Sequence, residues 1–174
     1  MADAFANQQK NVFDSLLANV AILRALIESS LGVKENEIEN LKNFLKNNLR
    51  KAVFAIPEDE EDIQDNIEKL FIGKGWQKGL DYDREVGRVK YSIKEYKPDF
   101  IISKLGLAID VKLSKNKEKS KKIVDEINTD IMAYSKKYSN ILFVVYDLGS
   151  IKNEEEFLHD LECKDKISVV IVKH

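Results

Sequence analysis

The chain has 174 residues, of which 44% are hydrophobic and 33% are charged, so it can form a packed core and is not expected to be disordered. Its 28 basic and 30 acidic side chains give a net charge of -2, which argues against a uniformly basic nucleic-acid-binding protein but leaves room for a local basic groove. The single cysteine, Cys163, excludes an intrachain disulfide and a multi-cysteine zinc site.

The hydropathy pattern contains no uninterrupted run of roughly 18 apolar residues, the length that a membrane-spanning helix requires. The N-terminus also lacks the basic-then-apolar pattern of a secretory signal. We therefore expect a cytoplasmic protein that does not interact with a membrane.

Two helical patterns occupy the N-terminal part of the chain. Apolar residues recur at steps of three and four between residues 12 and 31, and again between residues 38 and 49. Gly32 separates the two segments and fits a helix stop. This predicts an α-helical hairpin within residues 1–57, which either caps the core of the remaining chain or provides an interface for a second copy or another protein.

Residues 58–174 predict a separate α/β domain. An acidic run at residues 58–62 suits the positively polarised start of a helix, and Gly73 and Gly75 end that helix. In chain order we expect a helix from residue 58, strands at 86–93, 100–102 and 107–113 (the last two joined by a tight turn at Gly106), a helix near 123–138, a strand at 141–146, a short helix capped by Asn153 and a strand at 167–172. This order predicts an α/β fold around a mixed central sheet.

Charged residues interrupt two of the apolar strands. Asp99 directly precedes the strand at 100–102, and Asp110 and Lys112 lie inside the next one. Residues two apart in a strand project to the same face, so Asp110 and Lys112 point together. Burial of such charges is costly unless they are paired or hold a metal ion, which predicts that the three side chains converge at one edge of the sheet.

This convergence has a chemical use. Mg²⁺ prefers oxygen ligands, and Asp99, Asp110 and the backbone carbonyl of Val111 could supply them. The ion would polarise a phosphoryl group, while Lys112 orients or deprotonates the attacking water or stabilises developing charge. The alternative is a buried aspartate–lysine ion pair without a catalytic role.

Pro98-Asp99 followed by Asp110-Val111-Lys112 resembles the PD-(D/E)XK signature of the restriction-endonuclease-like nuclease superfamily, whose core has the order αβββαβ. The stretches KPDFII, IDVKLS, VDEINTDIMAY and ILFVVYDLG resemble, more narrowly, the branch named after the DpnII and MboI restriction enzymes, over residues 58–174. The resemblance implies a Mg²⁺-dependent endonuclease, with Mn²⁺ as a substitute, that hydrolyses phosphodiester bonds of DNA in defence against foreign DNA. The alternative function is a catalytically silent nucleic-acid-binding or assembly subunit of a larger complex.

The resemblance also implies roles for single residues. Asp99 and Asp110 match the metal-binding acids, and Lys112 matches the catalytic lysine. Many relatives carry a further acid on the first core helix that assists the metal ion. Glu61 and Glu68 are the candidates; we favour Glu61 near the helix start for a catalytic role and keep Glu68 as a metal ligand, against the alternative that both are solvated surface residues.

Basic residues flank the predicted catalytic strand on both sides. Such side chains could contact the phosphates of nucleic acid, most readily double-stranded DNA, although they could equally form an ordinary solvated surface. The predicted nucleic-acid-binding residues are Lys115, Lys117, Lys119, Lys121 and Lys122 after the strand, and Arg84 and Arg88 before it.

Overall fold

The computed structural model describes residues 2–159, 161 and 166–174; the side chains at 2–12, 14, 18 and 31, together with Cys163, fall outside this description. Residues 1–40 form one compact unit and residues 41–174 form another. The elements in chain order are α1 (Ala2–Ala52), α2 (Glu60–Gly73), β1 (Asp83–Arg84), β2 (Val89–Tyr91), β3 (Lys94–Tyr96), β4 (Phe100–Ile102), β5 (Leu107–Ser114), α3 (Lys117–Tyr134), β6 (Asn140–Asp147), α4 (Glu154–His159) and β7 (Ile167–Lys173).

The N-terminal segment is one continuous helix, so the predicted hairpin is wrong. Helix α1 contains 51 residues and passes through Gly32 without a break. A glycine inside a helix costs about 1 kcal/mol relative to alanine, which neighbouring residues can offset. No proline occurs between Gly32 and the end of α1, and the lysines and glutamates that follow the glycine are good helix formers.

Part of this helix is unusually apolar. The segment Ser15–Ala52 is the one helix among the described residues that is long and apolar enough to cross a membrane by length and composition, because an 18-residue window within it has a mean hydropathy of 1.6. Its apolar residues do not form an uninterrupted run, because Arg24 and Glu28 lie among them. Signal sequences and core helices share this length and composition, so the property alone does not place the chain at a membrane.

The second unit is built around a five-stranded sheet in the order β1-β4-β5-β6-β7. Strands β1, β4 and β5 are antiparallel neighbours, whereas β5, β6 and β7 are parallel. Eight consecutive residue pairs join β5 to β6, from Leu107 opposite Asn140 to Ser114 opposite Asp147. This confirms the predicted α/β fold with a mixed central sheet.

The first predicted strand, at residues 86–93, is only partly right, because strand β2 (Val89–Tyr91) lies within it but does not belong to the main sheet. Strand β1 in the main sheet lies earlier, and strands β2 and β3 pair with each other as a separate two-stranded sheet. Glu85 and Gly87 both have positive φ angles, of 54° and 82°, which interrupt the extended chain between β1 and β2. A Cβ atom on Gly87 would lie only 2.2 Å from Cδ1 of Ile101, so the close packing of this turn also requires glycine.

Helices α2 and α3 cover opposite faces of the sheet. On one face, the Phe71 ring of α2 lies 5.5 Å from the Phe100 ring of β4. On the other face, a buried cluster joins α3 to the strands and includes Ile123, Ile127, Ile131, Tyr134, Ala108, Phe143 and Val145. Because Ala108 belongs to this cluster and side chains alternate along a strand, Asp110 and Lys112 also project towards α3.

Candidate active site

The turn between β4 and β5 brings Asp99 opposite Asp110. A short 3₁₀ helix, Ser103–Leu105, ends at Gly106 with a left-handed φ of 58°, which confirms the predicted tight turn. The two strands then pair with Phe100 opposite Ile109. Asp99 directly precedes Phe100 and Asp110 directly follows Ile109, so this pairing brings the two carboxylates to neighbouring positions.

The Asp99 carboxylate is held by two donors. The Val111 N–H donates to Oδ2 at 2.6 Å, and Gln64 Nε2 of α2 donates to Oδ1 at 2.8 Å. Burial raises the pKa of Asp99, and repulsion from Asp110 raises it further, to about 7. The buried position and the neighbouring carboxylate therefore disfavour the charge of Asp99, which a bound cation would relieve.

The Asp110 carboxylate is buried between β5 and α3. Tyr134 donates its hydroxyl proton to Oδ1 at 2.9 Å. Lys112 Nζ lies 2.6 Å from Oδ2 as an ion-pair partner, and in the described part of the chain Oδ2 is the one buried side-chain oxygen or nitrogen that accepts no hydrogen bond from another group. The contact is therefore ionic, and Oδ2 keeps acceptor capacity that a second cation could use.

Lys112 lies between two carboxylates. Its Nζ atom is 2.6 Å from Asp110 Oδ2 and 2.9 Å from Asp130 Oδ2, and the Lys112 side chain is 12% exposed. Burial lowers the pKa of Lys112, but the charges of Asp110 and Asp130 outweigh burial and raise that pKa above its ordinary value. In this arrangement Lys112 is a fixed cation at neutral pH rather than a free base.

The site fits a hard divalent cation. Within the described residues, no three or more Asp, Glu, His or Cys side chains form a preformed metal cage. Mg²⁺ does not need one, because it keeps several waters and binds through one or two carboxylates. Asp99 and Asp110 supply such a pair, and the Asp110 oxygen without a hydrogen bond is the observation that favours a cation here. Val111 contacts this pair through its N–H, and its predicted carbonyl ligand stays a prediction.

The acid that α2 brings to this site is Glu60. Asp59 caps the helix by accepting a hydrogen bond from the Asp62 N–H, which explains the acidic run. In the first turn, Glu60 Oε1 accepts the N–H of Leu113, the residue after Lys112, at 3.2 Å. The charge of Glu60 also contributes to the raised pKa of Asp99, so it lies within electrostatic reach of the carboxylate pair.

Glu61 and Glu68, the predicted helix acids, lie on the neighbouring face of α2. Glu61 shares a depression with Arg84. Glu68 accepts hydrogen bonds from Arg84 at 2.6 Å, Lys78 at 3.1 Å and Tyr82 at 3.2 Å. None of the contacts described for these two acids joins them to Asp99 or Asp110. Their catalytic and metal-binding roles stay predictions.

Comparison with known proteins identifies the family. A model of the DpnII-MboI restriction endonuclease family (REase_DpnII-MboI) matches residues 58–174. The chain belongs to the DpnII-MboI restriction endonuclease family. Neither a curated protein nor a solved structure matches it. Membership assigns the chain to the DNA-cleaving endonucleases, which are hydrolases and usually use a divalent metal ion.

In this DpnII-MboI family member, several predicted DNA-binding residues are already paired within the chain. Arg84 is 12% exposed and contacts Asp65 and Glu68, both at 2.6 Å. Arg88 contacts Glu95 at 3.3 Å. Lys119 pairs with Glu126 and Glu60, at 3.1 Å and 3.8 Å, and Lys115 Nζ donates to the Glu58 carbonyl.

Four of the five predicted lysines are exposed, and three of these, Lys115, Lys117 and Lys121, line a groove. Lys117, Lys121 and Lys122 lie on the exposed surface of α3 near its start. A depression of about 770 Å³ lies between this helix start and the loop after β6. Its charged lining consists of Lys115, Lys117, Lys121, Lys152 and Glu156, and we call it the lysine groove. With four lysines against one acid, the groove concentrates positive charge that the total of -2 conceals.

The floor of the lysine groove is held rigidly at the carboxyl ends of β5 and β6. Ser114 Oγ, at the end of β5, lies 2.8 Å from Ser120 Oγ and 2.6 Å from Ser150 Oγ. Buried Asp147, at the end of β6, accepts hydrogen bonds from the N–H groups of Ser150 and Ile151. Since Ser114 follows Lys112 by two residues, the groove begins where the strand that carries Asp110 and Lys112 ends.

Sequence reasoning missed four residues of this constellation: Glu60, Gln64, Asp130 and Tyr134. Two signals could have found them. On α3, Asp130 and Tyr134 are four residues apart and interrupt the apolar face of the helix. Both side chains are therefore expected to face the strand that carries Lys112. Likewise, Glu60 and Gln64 are four residues apart and share a helical face with buried Ile67.

Proposed function

We propose that this family member is a Mg²⁺-dependent endonuclease, with Mn²⁺ as a substitute, that hydrolyses phosphodiester bonds of double-stranded DNA. One observation carries the proposal. Asp99, Asp110 and Lys112 meet at one place on the sheet, and Asp110 keeps a buried oxygen without a hydrogen bond. A bound divalent cation would polarise the scissile phosphoryl group and favour ionisation of the attacking water.

The chain's own residues would prepare that chemistry. Asp99 and Asp110 would hold the cation, and their orientations are fixed by donors from Gln64, Val111 and Tyr134. Lys112, kept cationic by two carboxylates, orients the attacking water or stabilises charge that develops on the phosphate. We assign the role of the assisting helix acid to Glu60, because it contacts the catalytic strand at Leu113.

The DNA backbone would enter through the lysine groove. Lys117, Lys121 and Lys152 are exposed and line it, whereas Arg84 and Arg88 are engaged by acids. Ligands of α/β proteins commonly bind at the carboxyl ends of parallel strands, which is where the groove lies. Defence against foreign DNA is the setting that we propose for the cleavage, on the basis of the restriction enzymes in the family.

Cleavage of plasmid DNA tests this function. We expect the wild-type protein to cut in Mg²⁺ or Mn²⁺ and to stop when a chelator is added. Asp110→Asn and Lys112→Gln should each reduce the cleavage rate by about a thousandfold or more, because both act on the reacting phosphate or its cation. Lys137→Gln, just beyond the far end of α3, is the control and should cut normally.

Two results would contradict the proposal. Equal cleavage by wild type, Asp110→Asn and Lys112→Gln would place the chemistry elsewhere. DNA binding without cleavage in either metal would favour the silent binding or assembly subunit. Calorimetric titration with Mn²⁺ separates these cases, since an active site should bind the ion and Asp99→Asn should weaken that binding.

A further inference from the structure

Helix α1 carries an apolar surface that nothing covers within the described part of its unit. Nine large apolar side chains between residues 13 and 33 are each 54–62% exposed. They are Phe13, Leu16, Leu17, Val20, Ile22, Leu23, Leu26, Ile27 and Val33. An apolar surface of this extent marks an interaction site.

Five of these residues form a regular seam along the helix. Phe13, Leu16, Val20, Leu23 and Ile27 follow one another at alternating steps of three and four. This is the spacing of the a and d positions of a heptad repeat, which keeps one stripe facing a partner helix. We call these five residues the heptad seam.

The residue types in the heptad seam select a partner and an orientation. Val20 and Ile27, which are β-branched, occupy a positions, while Leu16 and Leu23 occupy d positions. Branched residues at a with leucine at d favour two parallel strands. The same stripe on a second copy is therefore complementary to it.

Charge does not oppose association of two identical segments. Residues 13–33 contain three charged side chains, Asp14, Arg24 and Glu28. Arg24 Nε and Glu28 Oε1 lie 2.9 Å apart within one helix, so this pair is neutral beside the heptad seam. A membrane would also cover apolar side chains, but it does not require a heptad spacing and would have to accept the Arg24–Glu28 pair in mid-segment.

We propose that residues 13–27 form a parallel two-stranded coiled coil with the same segment of a second copy of this chain. Both nuclease units would then follow from the same end of the coil, which gives one assembly two sites for two DNA strands. The pairing of two nuclease sites rests on the proposed function, whereas the formation of the dimer does not depend on it.

Two adjacent substitutions in the full-length chain test the heptad seam. Leu23 lies in the seam and Ile22 lies outside it, yet both side chains are 59% exposed. In sedimentation velocity over a concentration series, we expect the wild type to be a dimer at high concentration. Leu23→Gln should weaken association about tenfold or more, while Ile22→Gln should leave it unchanged. Circular dichroism during thermal unfolding verifies that each variant is folded.

A wild type that stays monomeric at its highest soluble concentration would overturn the proposal, as would equal weakening by both variants. Flotation with vesicles of phosphatidylcholine and phosphatidylglycerol tests the membrane. Protein that stays in the lipid-free fraction supports the coiled coil, and protein that floats with the vesicles overturns it. A dimer that fails to cut DNA would refute the proposed function but leave the coiled coil standing.

Discussion

At the scale of single residues, Asp130 is the informative addition to the site. It lies on α3 and its carboxylate is 2.9 Å from Lys112 Nζ, so it acts on the reaction through that lysine. We expect Asp130→Asn to lower kcat about 10- to 100-fold with little change in KM, because Lys112 would lack a partner that positions it.

Burial lowers the pKa of Lys112, and Asp110 and Asp130 together raise it. Without Asp130 the pKa falls, so activity should decline at a lower alkaline pH than in the wild type.

The pH–rate profile separates this positioning role from a structural one. Asp125→Asn is the matched control, because Asp125 is exposed on the same helix and is not among the main charges that shift the pKa of Lys112 or Asp130. The control should keep the wild-type profile. An unchanged alkaline limb in Asp130→Asn would contradict the assignment.

Asp99 offers a prediction about stability. Burial and the neighbouring Asp110 raise the pKa of Asp99 to about 7, above the unfolded value near 4. A raised carboxyl pKa means that the folded state binds the proton more tightly, so its contribution is present at low pH and is lost as pH rises from about 4 to about 7. Asp99→Asn, which cannot ionise, should therefore raise the free energy of unfolding by about 1–3 kcal/mol at pH 8 and by less at pH 4.

Urea unfolding of both proteins at these two pH values, without divalent metal, measures the difference. Mg²⁺ should reduce this difference in the free energy of unfolding, because it should stabilise the wild type and not the variant. A variant that is less stable than the wild type at pH 8 would show that the ionised Asp99 carboxylate does not destabilise the folded protein at that pH.

At this scale the sequence was most informative where strands carry the side chains. Asp99, Asp110 and Lys112 could be placed together because side chains alternate along a strand and a short turn aligns its neighbours. Prediction of the helix acid requires the rotational phase of α2, and one residue corresponds to about 100° of rotation. This is why Glu61 was favoured, whereas Glu60 makes the contact with the catalytic strand.

At the scale of elements, helix α3 supplies both the partners of Lys112 and the exposed lysines at its start. We expect Lys117→Glu with Lys121→Glu to weaken DNA binding and to lower the slope of log affinity against log salt by about one for each phosphate that a lysine no longer neutralises. Acidic residues are tolerated at a helix start, so the helix should persist. Fluorescence anisotropy with duplex DNA at several salt concentrations, in an Asp110→Asn background, measures the effect.

The control for these two substitutions is a second pair of lysines at the other end of α3. Lys136→Glu with Lys137→Glu changes the charge equally just beyond the opposite end of α3 and should alter binding little. Equal weakening by the two double variants would indicate a general effect of charge instead of a groove.

Helices and strands were predicted correctly where apolar periodicity determines them, and poorly where the backbone conformation of single residues determines them. The order of helices and strands from residue 100 onwards followed from that periodicity. The division into β1 and a separate β2–β3 sheet did not, because it depends on the positive φ of Glu85, a conformation that its residue type does not announce.

At the scale of the whole molecule, the two units differ in how far they bury their apolar side chains. Residues 41–174 bury most of their described apolar side chains around the sheet, whereas the described large apolar side chains of residues 13–33 stay exposed. The composition of the chain could not reveal this difference, because an average over 174 residues does not distinguish a buried leucine from an exposed one. Exposure of these side chains, and not their spacing alone, distinguishes this surface of α1 from the buried face of a core helix.

The turn at Gly106 also bears on how quickly the site can assemble. The contact of Asp99 with Val111 spans 12 residues, and that of Tyr134 with Asp110 spans 24. The entropic cost of closing a loop grows only slowly with its length but is smallest for short loops, and local contacts form early during folding. The carboxylates and Lys112 thus belong to a hairpin and one helix that are contiguous in the chain, and they can come together before β7 joins the sheet.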